Sequence, residues 1–158
     1  MRSHRYLGLG MVLVLAGSLL AQTNTGGQAY GNVREKLIGA WRLVSLEEGQ
    51  GGKMVKLPRT GVIMYTRDGH MSVQILAPEG APAASTGPIQ YESGGYEAYF
   101  GTYTLDEKAS TVTHHVEGAL VRSLIGKDLT RVYEFSSRQL ILKSSRPDEH
   151  WTVAWERY

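Results

Sequence analysis

"YEAYFGTYTLDEKASTVTHHVEGAL", residues 96–120, sets two runs rich in aromatic and β-branched residues on either side of the polar turn "LDEKAS". Each run alternates. Tyr99, Gly101 and Tyr103 face away from Thr102 and Thr104 in the first, and Val112, His114 and Val116 face away from Thr111, Thr113, His115 and Glu117 in the second. A period of two marks a strand with one buried face, so the stretch predicts an antiparallel hairpin. It also separates the adjacent histidines, because successive strand residues point to opposite faces of a sheet. His114 falls on the apolar face. His115 falls on the polar face beside Glu117, where a surface position without a specific role is expected.

Working outward, β-rich runs at Trp41 to Glu47, Gly61 to Thr66, His70 to Leu76, Tyr96 to Leu105, Thr111 to Glu117, Asp128 to Phe135, Gln139 to Ser144 and Trp151 to Tyr158 predict eight strands. "VREKLIGAW" allows one short helical turn before them. The connections "TRDGH", "LDEKAS" and "FSSRQ" are tight, whereas "EEGQGGKMVKLPRT", "APEGAPAASTGPIQYESGG", "EGALVRSLIGKD" and "SRPDEH" are longer, and the two kinds alternate. Alternate loops of an up-and-down path lie at the same end. The expected fold is therefore all-β, an eight-stranded up-and-down antiparallel β-barrel with one tight end and one loop-fringed mouth. The long Pro/Gly-rich connection from Pro78 to Gly95 belongs to that mouth.

The tight turns suggest pairings, since opposed residues share a face. A turn centred on Asp68 and Gly69 opposes Met64 with Val73 and Val62 with Ile75, which leaves Tyr65 on the other face. Centring "DEKA" opposes His114 with Gly101 and Val112 with Tyr103. Centring the serines of "FSSRQ" opposes Tyr133 with Leu140 and Arg131 with Leu142. The same alternation turns Arg131 inward with Leu129, Tyr133 and Phe135, opposite His114 on the neighbouring strand. An inward arginine is costly unless its hydrogen bonds are accepted. Two solutions stand open: an internal network with Tyr65, Tyr99, Tyr103 and Tyr133, or a ligand. In the second, His114, Arg131, Tyr99, Tyr103 and Tyr133, with Met64 and Val73, line a pocket that is apolar apart from a few polar anchors.

The chain of 158 residues, 42% hydrophobic and 20% charged, has the length and composition of one domain. "MRSHRY" followed by the apolar "LGLGMVLVLAGSLLA" reads as a signal peptide over residues 1–21, followed by a flexible segment over 22–36 and the barrel domain over 37–158. The expected destination is the periplasm or the outside of the cell, with no stable membrane anchor after cleavage. Loss of Arg2 and Arg5 with such a leader turns 17 basic against 15 acidic side chains into 15 against 15. With neither net positive charge nor a basic stripe, nucleic acid is not an expected partner. The chain has no cysteine, hence no disulfide and no thiolate chemistry.

No metal or other cofactor is expected, since His70, His115 and His150 read as outward-facing or near loops and give His114 no converging ligand. Ser93 in "YESGG" lacks the strand-to-helix elbow of a nucleophilic serine.

Five segments in order resemble the lipocalin-like domain family: "LIGAWRLVS", "GVIMYTRDGHMSVQI", "YEAYFGTYTLDE", "VTHHVEGAL" and the terminal "WERY". "GAW" at 39–41 is similar to the Gly-x-Trp that opens the first strand of lipocalins and their calycin relatives. The resemblance runs from Leu37 to Tyr158 and implies an antiparallel barrel around an internal cavity, without implying one reaction. It also implies that Trp41 packs across the closed end against Arg157 as a structural plug.

Two functions follow as expectations. One is an exported protein that binds a small hydrophobic or amphiphilic molecule, with Arg131 and His114 receiving an acidic or carbonyl group. The alternative is an isomerase, cyclase or dehydratase in which His114 is general acid or base and Arg131 steadies charge on an oxygen.

Overall fold

Among the described residues antiparallel pairing runs from the first strand to the last and then closes on itself. The computed structural model describes residues 33–81, 93–136 and 138–158. The strands are β1 (Gly39–Gln50), β2 (Lys53–Leu57), β3 (Thr60–Tyr65), β4 (His70–Leu76), β5 (Tyr96–Asp106), β6 (Thr111–Ala119), β7 (Asp128–Ser136), β8 (Gln139–Ser144) and β9 (Trp151–Arg157). The last pairs with the first, from Trp41 opposite Arg157 to Glu48 opposite Trp151. β2 and β3 both lie on the other side of β1, Leu57 opposite Leu46 and Val62 opposite Arg42. They form one stave interrupted at Pro58 and Arg59, where proline has no N–H to give a ladder. The barrel thus has eight staves, closed and antiparallel, with a helical turn over residues 33–37 before it. The expected leader over 1–21 and most of the segment over 22–36 lie outside the described residues.

The first connection differs from expectation. "EEGQGGKMVKLPRT" is a hairpin rather than a long loop: Gln50 opposes Lys53 across Gly51 and Gly52, at φ 57° and 79°. Positive φ at both central residues is what a two-residue turn matching strand twist requires, and glycine supplies it at little cost.

Register decides which side chains enter the barrel. Around "TRDGH" the backbone N–H of Thr66 donates to His70 O at 2.9 Å, with Arg67, Asp68 and Gly69 as a three-residue loop. Ile63 therefore opposes Val73, and Gly61, not Val62, opposes Ile75. The slip from the expected pairing is one residue, and a slip of one exchanges the two faces of a strand. Tyr65 and Ile63 are buried, while Met64, expected inside, is 38% exposed on the outer wall. Elsewhere the slips are of two and the faces survive. Tyr103, not Gly101, opposes His114; Leu142, not Leu140, opposes Tyr133; and Leu129, not Arg131, opposes His114.

The tight end is sealed by the helical turn. Leu37 is fully buried, Glu35 pairs with Arg67 of the β3–β4 loop, and the Arg34 guanidinium lies 5.5 Å from the centre of the Tyr103 ring. Beside it the Trp41 indole N–H donates to Leu37 O at 2.8 Å. The Arg157 guanidinium stacks 4.3 Å from the Trp41 ring and donates to Ile38 O at 2.7 Å. Gly39 is needed for this arrangement: at φ 136° a Cβ would meet Arg157 Nη1 at 2.6 Å. The spacing of "GAW" thus has a local cause, a residue without a side chain beneath the arginine that covers the tryptophan.

Candidate functional site

Four staves deliver a chain of polar side chains into the barrel. β6 contributes His114, β3 Tyr65, β5 Tyr99 and β7 Arg131, each at an inward position of its strand. The Tyr65 hydroxyl lies 2.7 Å from His114 Nε2, and the Tyr99 hydroxyl 3.0 Å from His114 Nδ1. Arg131 Nη2 donates to the Tyr99 hydroxyl oxygen at 3.3 Å.

Burial fixes the charge states. Desolvation, reinforced by the nearby Arg131 charge, holds His114 well below the ordinary imidazole value, so it is neutral at pH 7. Burial pushes Tyr65 well above the usual phenol value and Tyr99 up to about 12, with Arg131 opposing the rise in both. Both phenols keep their protons. Tyr65 is fully enclosed and has His114 as its hydrogen-bond partner among the described residues, so we assign its O–H as donor to Nε2. Nδ1–H then donates to Tyr99, whose oxygen accepts from both His114 and Arg131. The Tyr99 proton is left to point elsewhere. His114 is in this arrangement a neutral bridge with both ring nitrogens occupied, not an acid at neutral pH.

Above this chain lies a small cavity lined by Ile63, Val73, Ile75, Glu97, Tyr99, His114, Arg131, Leu142, Trp151, Val153 and Trp155. The space open to the centre of a water molecule is about 20 Å³, enough for one water. The Trp155 indole N–H is buried without an acceptor among the described residues. Arg131 lies 6.0 Å from the centre of the Trp151 ring, and among the described residues it has no carboxylate within ion-pair distance. Three further charged side chains, Glu48, Arg59 and Glu97, are buried, and each is engaged in polar or electrostatic contacts.

Of the side chains that the sequence singles out, Val73, Tyr99, His114 and Arg131 meet around the cavity. Tyr103 and Tyr133 are inward but packed below it. Tyr103 donates to Thr66 O at 2.9 Å and meets the Tyr65 ring edge-on at 5.0 Å, while the Tyr133 ring leans on Phe135 at 5.7 Å. Met64 is outside. Sequence reasoning places Tyr65, named there only for an internal network, on the wrong face, and misses Glu97, Trp151 and Trp155. Glu97 had a signal, since it shares parity with Tyr99 and Tyr103 on one strand. On the outer wall His115 lies 3.0 Å from Thr104 Oγ1 and 2.7 Å from Asp128 Oδ1. Among the described residues no group of three or more histidines and acids could hold a metal, and no helix is long and apolar enough to cross a membrane.

A closed eight-stave antiparallel barrel, plugged by a tryptophan and an arginine at the end where the chain enters, is a calycin-type barrel. The lipocalin-like domain family profile matches residues 38–158, and the chain belongs to that family. No curated protein matches it. Among solved structures it is similar to a redesigned beta barrel, at TM-score 0.45 and 14% identity over 79% of this chain and 94% of that one.

Proposed function

We propose that this is an exported binding protein whose barrel takes a small, mostly apolar molecule by a carbonyl or carboxylate group. The observation that carries the reading is Arg131. It is a 6% exposed guanidinium with one long hydrogen bond, to a neutral tyrosine, and no carboxylate partner among the described residues. A buried cation is retained at a cost unless something accepts from it, and a ligand oxygen between Arg131 and Tyr99 would do so. Ile63, Val73, Ile75 and Val153 offer apolar walls to the rest of the molecule. A cavity that holds one water must widen to admit a larger guest. The basic and apolar segment over residues 1–21 supports export.

The test is native mass spectrometry of the protein purified from its own host, with denaturing extraction of whatever it carries. A compound with an acidic or carbonyl group, absent from Arg131→Ala and weakened in Tyr99→Phe, is the expected result, on a chain whose intact mass lacks residues 1–21. If the chain carries nothing and its melting temperature is unmoved by a panel of aromatic and aliphatic carboxylic acids, Arg131 belongs to the core and the binding reading fails.

A further inference from the structure

We infer a second binding site at the closed end of the barrel, on the far side of Trp41 from the cavity just described. It would take a small planar aromatic anion, held by the rings of Phe135 and Tyr158 and the cations Lys36, Arg138 and Arg157, over the Arg157-covered Trp41. These residues surround a recess of about 430 Å³, many times the internal cavity by the same measure and within the ordinary range for small-molecule sites.

Its chemistry is one-sided. Among the described residues three cations line it and no acid does. The acids nearby in sequence are occupied elsewhere: Glu35 with Arg67, Glu134 with Lys143 at 2.7 Å, and Glu156 with Arg42 at 2.6 Å. Arg157 is fixed by its stacking on Trp41 and its bond to Ile38 O, so its charge is a permanent part of the floor. Among the described residues the Lys36 ammonium and the Arg138 guanidinium have no hydrogen-bond or ion-pair partner, so both are available to a carboxylate or sulfonate. The half-buried ring of Phe135, 6.4 Å from the Arg157-covered indole of Trp41, gives a planar molecule aromatic surface, and the 76% exposed Tyr158 stands at the rim. Aromatic walls with cations at the edge select ring and charge together, which separates this site from the apolar interior.

The experiment uses 1-anilinonaphthalene-8-sulfonate as anionic probe and N-phenyl-1-naphthylamine as its uncharged analogue, followed by probe fluorescence on excitation of tryptophan. The expected result is saturable binding of the anion about tenfold tighter than the neutral analogue, reduced about tenfold in the Lys36→Glu, Arg138→Glu double variant. It should be unchanged in Arg131→Ala, whose loss would concern only the internal cavity. Circular dichroism checks that each variant is folded. Equal affinity for both probes, or binding indifferent to the double substitution, overturns the site. So does a concentration-dependent dimer abolished by Arg138→Glu, which would assign the recess to a second copy of the chain.

Discussion

Inside the barrel wall His114 bridges Tyr65 and Tyr99; one residue later, on the outside, His115 bridges Thr104 and Asp128. Both rings make two hydrogen bonds at similar distances, and both sit on the same strand. They differ in what happens when a bond is lost. Water replaces any partner of His115, whose side chain is 35% exposed. Bulk water does not reach His114, which is fully buried, so a lost bond there leaves a buried phenol or imidazole nitrogen to be satisfied. The comparison shows that hydrogen-bond count says little about the worth of a polar group, and that strand parity, by choosing the side of the wall, says more.

The largest expected effect is His114→Leu, which leaves the hydroxyls of Tyr65 and Tyr99 without their bridge. A loss of about 2–4 kcal/mol in urea unfolding is expected, and a loss below about 1 kcal/mol would show that the tyrosines find other partners. Acid comes next. The folded-state pKa of His114 is depressed, so the unfolded chain, near 6.5, takes up the proton first as pH falls. Its contribution is complete above about pH 6.5 and declines below it, with a slope approaching about 1.4 kcal/mol per pH unit. Urea midpoints at pH 7.5 and 5.0 should therefore diverge more in the wild type than in His114→Gln; equal divergence would mean that His114 is protonated in the fold. Tyr65→Phe removes one partner and should cost about 1–2 kcal/mol, read as a drop in melting temperature. At the small end, His115→Ala should change stability by no more than about 0.5 kcal/mol, and a larger loss would erase the contrast between the two sides of the wall.

Parity also explains how much of the molecule could be read in advance. The barrel, its closed end and the inward direction of His114 and Arg131 follow from alternation, and they survive because the pairing registers around "LDEKAS" and "FSSRQ" slip by two residues. The displacement at "TRDGH" was one, and it hid Tyr65. "VIMY" is apolar on both faces, so alternation gave no warning, and only the three-residue loop ending at Gly69 decides. Glu48 was hidden differently. The ladder between β1 and β9 is irregular between Leu43 and Ser45, so Trp41 and Glu48 are both buried despite opposite parity. The Gly-Gly hairpin at residues 51–52 reads from sequence as part of a long loop, although Gly-Gly between β-rich runs can mark a two-residue turn. The size of the internal cavity was not legible, since it depends on how its lining residues, Trp151, Trp155 and Arg131 among them, pack together.

The seam between β1 and β9 has a consequence for how the chain reaches its shape. Trp41 cannot meet Arg157 until β9 has been made, so before that point one edge of β1 lacks its partner strand. Such long-range closure belongs with slow folding, on the order of milliseconds to seconds. Truncation within β9 would accordingly not give a smaller barrel; it would expose the edges of β1 and β8 as templates for pairing with other chains.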